Sequence, residues 1–269
     1  MQQQIKQLIQ VGQLSEAIAA TIAHLKVKPK DLEARSSFIE LLCIDGQLER
    51  ADQQLDLLVK QHPECVPGAL NMRQIVHAAQ SRVDFANGGD TATLTSGAKQ
   101  SLTPLVELRL ALLNQDKPEL ERTAQQLEAL RENAPLDINE KSCDELRDID
   151  DSLAGYLEAF GSNGLYYLVP FSEVTWLKLL PANNLFEHIW RRAEIDIKDG
   201  PTGEVFIPMT YLASETDAEK LGRETDWQPM LESEFYQGRG QKLWLVNDDA
   251  LTLSQLESFT ETKQVETAE

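Results

Sequence analysis

The stretch Ile5-Lys6-Gln7-Leu8-Ile9-Gln10-Val11-Gly12-Gln13-Leu14 is echoed 34 residues later by Ile39-Glu40-Leu41-Leu42-Cys43-Ile44-Asp45-Gly46-Gln47-Leu48. At the same offset Ala17 matches Ala51, Lys26 matches Lys60 and Pro29 matches Pro63, so eight of the 25 positions 5–29 are identical without a gap. Each unit carries the punctuation of a helical hairpin. Glycine stands where a first helix must stop in left-handed geometry, and proline stands where a second helix cannot continue. A small alanine falls where the second helix must pack closely on the first. Ile5, Leu8 and Ile9, like Phe38, Leu41 and Leu42, recur at helical spacing.

A helix–turn–helix unit with this period is that of the tetratricopeptide (TPR) repeat. The small residue expected in the first helix is replaced by Ile5 and Ile39, and the one late in the second by His24 and Leu58, so the repeats are divergent. Two such units need neighbours to complete a core. The sequence offers a third helix over 67–87, ended by Gly88-Gly89, and a loop over 90–101 rich in Thr, Ser and Gly. A further pair follows over 105–113 and 119–131, closed by Pro135. Residues 1–135 are therefore expected to form an all-α, TPR-like superhelical domain.

Beyond Pro135 the chain changes character. An acidic stretch over 144–151 lacks the DxDxDG spacing of a calcium loop and reads as a solvated connection leading into a short helix. From Gly164 the apolar period moves towards two, giving candidate strands at 165–171, 174–179, 189–197, 205–209 and 242–246. These predict a multi-domain chain whose second part, residues 136–251, is an α+β domain with an antiparallel or mixed sheet. Residues 252–269 lose apolar periodicity and are expected to fray.

Charge divides along a similar line. The chain has 25 Lys+Arg against 44 Asp+Glu, a net of −19, of which residues 1–102 carry only −1 and residues 103–269 carry −18. Such acidity removes the footprint of a nucleic-acid or anionic-membrane binder. No apolar run is long enough to span a bilayer, and the amino terminus has no signal-peptide core. Cys43, Cys65 and Cys143 form neither a CxxC pair nor a disulfide framework, which points to a cytoplasmic protein.

Catalytic signatures are missing. There is no GxSxG elbow, no HExxH and no phosphate-binding GxxxxGK, and the four histidines share no ligand spacing. Gly238-Arg239-Gly240 lacks a third glycine and precedes a strand, so it reads as a turn or bulge and not as a dinucleotide site. The sequence predicts no catalytic residue, no metal and no cofactor.

The order of motifs resembles one family. Helical repeats are followed by Tyr166-Tyr167-Leu168-Val169-Pro170-Phe171, then Val205-Phe206-Ile207-Pro208 with Tyr211, then 221–227 (Leu-Gly-Arg-Glu-Thr-Asp-Trp), then Gly238-Arg239-Gly240-Gln241. This collinear set, spanning residues 1–246, is similar to the ImpE/TagJ (SciE-like) proteins encoded with bacterial type VI secretion systems. The resemblance implies a non-catalytic adaptor in the cytoplasm of a Gram-negative bacterium. It implies binding of the amino-terminal helix of the sheath small subunit, and through it a connection to sheath disassembly by a ClpV-type AAA+ ATPase. The chain departs from the family pattern over 185–192, where Glu187-His188-Ile189-Trp190 stands.

Repeat register nominates Lys6, Ile9, Gln10, Glu40, Cys43 and Ile44 as the side chains facing a groove for an amphipathic helix. Tyr166, Tyr167 and Trp227 offer an alternative aromatic surface, or else belong to the sheet core. Arg223 beside Asp226 reads as an ion pair at the domain seam. Two other readings stand beside the adaptor: an enzyme with its site in the α+β domain, and a purely structural oligomer-former. The oligomeric state has no signature in the sequence.

Overall fold

Gly12 and Gly46 set the geometry of the amino-terminal half. In the computed structural model, which describes residues 1–95 and 97–262, they adopt φ of +84° and +80°. Each closes a helix with the same two hydrogen bonds. Gly12 N donates to Ile9 O and Gln13 N to Leu8 O; Gly46 N donates to Cys43 O and Gln47 N to Leu42 O. This Schellman stop satisfies the last carbonyls of the helix. It turns α1 (Gln2–Gln10) into α2 (Leu14–Val27), and α3 (Leu32–Ile44) into α4 (Leu48–Gln61). Ala17 and Ala51 are completely buried where the paired helices touch.

The long α5 (Val66–Ala86) follows, and later α6 (Leu102–Leu113) and α7 (Lys117–Leu130) form another hairpin. Its turn makes the same stop with Gln115 at φ +55° in place of glycine. Between them, where the sequence suggested only a loop, β1 (Ala92–Leu94) leaves the helical layer and joins the sheet. Three residues without alternation carry no strand signal, so only the parallel partner defines this element.

The carboxy-terminal part is built from short strands: β2 (Leu136–Ile138), β3 (Lys141–Cys143), β4 (Leu146–Asp148), β5 (Tyr156–Gly161), β6 (Tyr166–Pro170), β7 (Val174–Leu179), β8 (Trp190–Ile197) and β9 (Thr202–Pro208). After the one-turn α8 (Asp217–Lys220) come β10 (Thr225–Pro229), β11 (Tyr236–Gly240), β12 (Leu243–Val246), β13 (Asp249–Thr252) and β14 (Phe259–Glu261). Nine strands form one sheet in the order β1-β6-β5-β9-β8-β7-β14-β2-β3. Among the described residues of this sheet, only the β1–β6 pair is parallel. A three-stranded sheet β13-β12-β4 and the hairpin β10-β11 complete the part.

Two expectations are corrected here. The segment from Thr252 does not fray over its described length: Leu253, Leu256 and Phe259 are buried, and β14 lies between β7 and β2 inside the sheet. Its apolar residues recur every three positions along an irregular path, so no strand period announces them. Residues 263–269 lie outside the described residues. The acidic stretch is likewise no solvated connection. It contains β4, and Asp148 and Asp150 are buried.

The sheet carries a core on each face. On one face Phe160, Tyr166 and Trp190 pack with Phe85 and the helices in a single apolar cluster; on the other lie Leu157, Val169, Ile195, Trp244 and Phe259. Strand β5 alternates between the two, sending Tyr156 and Phe160 to the helices and Leu157 and Ala159 away from them, so all six of its residues are buried. The helices and the sheet thus share a core, and α5 is the helix laid across their junction.

Candidate functional site

The helical period places Gln2, Ile5, Lys6, Ile9 and Gln10 along one face of α1. In repeat-equivalent register, Ser36, Glu40 and Ile44 lie along α3. These two faces form one side of a groove of about 820 Å³. Residues 182–185 with His188 and Ile189 make the opposite wall, and Leu221 and Arg223 close one end. Of the six groove residues nominated by repeat register, Lys6, Ile9, Gln10, Glu40 and Ile44 line this groove. Cys43 does not. It points inward, 4 % exposed, towards a smaller cavity of about 210 Å³ between helices and sheet. Burial and the neighbouring Glu40 charge push its thiol far above the ordinary cysteine range.

Long-range polar contacts hold the walls in place. Gln2 Nε2 donates to Glu33 O at 3.1 Å and to Ser37 Oγ at 2.8 Å, tying α1 to α3. From the sheet side, Asp217 accepts from the Ser15 amide and hydroxyl, both at 2.8 Å, and Lys220 meets Asp45 at 2.8 Å. Arg223 donates to the Ile9 carbonyl. The expected Arg223–Asp226 pair is not formed: Arg223 is taken up by the Ile9 carbonyl, and Asp226 accepts from the Trp227 amide. The 182–189 wall is fixed by the buried Glu187 carboxylate, which accepts from the Asn183 amide at 2.7 Å and from Asn184 Nδ2 at 2.9 Å.

Inside the groove Glu40 is half-buried, and its carboxyl is pushed up to about 7. Burial is the main cause, Glu187 adds to it, and the Leu185 amide works in the opposite direction. His188 is pulled below its ordinary value by burial and by Arg191, which favours the neutral ring. The surface is therefore apolar at Ile5, Ile9, Ile44 and Ile189, with two acidic groups, the exposed Glu33 and the half-buried Glu40, and the amides of Gln2, Gln10, Asn183 and Asn184.

A second cluster lies at the helix–sheet junction. Glu158 of β5 accepts two hydrogen bonds from Arg82 of α5, at 2.7 and 2.6 Å, and one from Tyr166 Oη at 2.7 Å. Lys242 Nζ stands 2.8 Å from Glu158 and 3.3 Å from Asp148, and Asp148 accepts from Tyr211 Oη at 2.6 Å. Although burial opposes ionisation, Arg82 and Lys242 hold the Glu158 carboxyl well below the carboxylate range. Asp150 behaves oppositely: burial and the Asp148 charge push it up to about 6. The adjoining cavity, bordered by Arg82, Arg109, Asp150, Glu158 and Tyr166, holds about 60 Å³, space for one or two waters and no metabolite.

The aromatic candidates separate. Tyr166 is 1 % exposed and belongs to this buried network, so it offers no surface to a partner. Tyr167 is half-buried against the second core, its hydroxyl accepting from Asn163 Nδ2 at 2.9 Å. Trp227 is exposed on the β10–β11 hairpin, far along the chain from the groove-lining helices. Sequence register placed five residues of the helical side in the groove but missed Gln2, Ile5, Leu32, Glu33, Ser36 and Ser37 there, and residues 182–185, His188, Ile189 and Leu221 opposite. The only signal there was the departure from the family pattern over 185–192. Among the described residues no group of three His, Cys, Asp or Glu could hold a metal ion, and no helix is long and apolar enough to cross a membrane.

Comparison with known proteins agrees with the motif order. The model of the family described as ImpE protein matches residues 140–260. The type VI secretion system accessory component TagJ of Pseudomonas aeruginosa is 25 % identical over 232 residues, covering 82 % of this chain and 80 % of TagJ. A protein of Vibrio parahaemolyticus of known crystal structure is 43 % identical, covers 97 % of this chain and 98 % of its own, and superposes with a TM-score of 0.94.

Proposed function

Because the chain belongs to the ImpE family, we propose that it is a non-catalytic accessory protein of a bacterial type VI secretion system. It acts in the cytoplasm, and its groove takes the amino-terminal helix of the sheath small subunit. The repeats of residues 1–135, read as TPR-like, supply one wall, and the sheet part supplies the other. Through that helix it connects the sheath to disassembly by a ClpV-type ATPase.

The observation that carries this reading is the groove itself. Two helices turn equivalent faces to solvent and leave an apolar channel of about 820 Å³. An α-helix about 10 Å across fills such a volume with roughly two turns. Amphipathic helices bind in channels of this kind through anchors at i, i+3, i+4 and i+7. At the helix–sheet junction, the buried polar cluster offers little to an enzyme reading, since Glu158 and Asp148 are already satisfied by Arg82, Lys242 and two tyrosines.

Co-crystallisation with the amino-terminal peptide of the sheath small subunit tests the reading. A helix seated between α1, α3 and residues 182–189 is expected. A peptide bound at the β10–β11 hairpin, or no binding at tens of micromolar, would overturn it.

A further inference from the structure

Glu40 is a half-buried acidic side chain of the groove to which no described residue brings a counter-charge. Charged and titratable groups border the groove from every element that packs there: Glu33 on α3, Lys6 on α1, His188 beside Glu187 on the opposite wall, and Arg223 after α8. Arg223 is engaged on the Ile9 carbonyl, and Lys6 is exposed to solvent. Glu187 is occupied by Asn183 and Asn184. Burial, the Leu185 amide and the Glu187 charge act on the Glu40 carboxyl, and no cation is among them. A half-buried carboxylate without a counter-charge, set among isoleucines, is costly to leave ionised.

We propose that the groove selects an amphipathic helix carrying one Lys or Arg within its apolar face, and that this cation pairs with Glu40. The inference rests on the docking reading above and specifies its occupant. Charge complementarity supports it at two scales. Locally, a cation brought in by the partner supplies the missing counter-charge in a site shielded from water, where such a pair is stronger than at a free surface. Globally, the net −18 of residues 103–269, which include the opposite wall, draws a basic segment towards the groove.

Proton linkage follows. The free carboxyl titrates at about 7, and pairing with a cation requires its ionised form. Binding therefore releases a proton at low pH, and affinity weakens about tenfold from pH 8 to pH 6.

The test is selection from a displayed library of amphipathic helical peptides with one randomised position in the apolar face, run at pH 8 on the protein and on Glu40→Gln. Peptides that lose binding to Ile9→Glu are the groove binders. The expected result is enrichment of Lys or Arg at the randomised position on the parent protein and none on Glu40→Gln. A selected peptide should bind about tenfold more weakly at pH 6 than at pH 8, with that slope kept in His188→Gln and lost in Glu40→Gln. Groove binders without a basic residue, or a slope that follows His188, would overturn the cation pairing while leaving the docking reading intact. A library that yields no helix sensitive to Ile9→Glu removes both.

Discussion

Glu40 and Glu158 are both withdrawn from water, yet they have opposite fates. Glu158 receives Arg82, Lys242 and Tyr166, and its carboxyl stays ionised far into acid. Glu40 meets an amide and another acid, and its carboxyl rises to about 7. Burial alone therefore does not mark function in this protein. The saturated carboxylate locks α5 onto the sheet, and the unsaturated one faces open space that a partner can fill. The contrast separates the part of the junction that holds the protein together from the part that is left to receive something.

The comparison breaks first at the locked end. Removing one member of a buried, hydrogen-bonded charge cluster strands the others, at a cost of about 3–5 kcal/mol. Arg82→Ala is expected to lose stability of that order in urea denaturation. A loss below about 1 kcal/mol would mean that the network does not hold helices to sheet. Tyr166→Phe removes only the hydroxyl that donates to Glu158. It should cost about 1.5–3 kcal/mol, as expected for a hydrogen bond to a charged group.

At the open end the sign reverses. A folded-state carboxyl raised above its unfolded value favours the neutral form. Its stabilising contribution is full below the unfolded value of about 4.5 and is lost as pH rises through about 7. Glu40→Gln should therefore raise the melting temperature at pH 8, by up to about 2–4 °C for a chain of this size, and leave it unchanged at pH 4.5. A decrease at pH 8 would show that Glu40 has a counter-charge in the free protein. Smallest is the effect at Gln115, which sits at φ +55° where the repeats use glycine. Gln115→Gly is expected to add about 0.5–1 kcal/mol in the same denaturation assay, since the left-handed position strains any residue with a Cβ.

What the sequence revealed follows the range of the interactions involved. The repeats were legible because their signals are local: a glycine stop, a close-packed alanine and a helical stripe each act within a few residues. Register alone placed Lys6, Ile9, Gln10, Glu40 and Ile44 on the helical side of the groove, while the rotation of α3 turns Cys43 inward. Strand β5 was not legible, because both of its faces are covered and a charged Glu158 interrupts its apolar run. The acidic stretch misled for a similar reason. Its Asp148 is answered by Tyr211 and Lys242, which lie 63 and 94 residues away, and no local pattern carries that information. The opposite wall of the groove belongs to the same class: residues 182–189 acquire their role only when the sheet sets them against α3.

In this reading the helical and sheet walls together form a docking site for a helix. Titration of the sheath small subunit's amino-terminal peptide into the parent protein and into Ile9→Glu, followed by calorimetry at pH 8, tests it most directly. Saturable binding is expected at about 10 μM or tighter, equivalent to roughly −7 kcal/mol, abolished in the variant while its melting temperature is preserved. Binding that is unchanged in Ile9→Glu, or absent from both proteins, would contradict it.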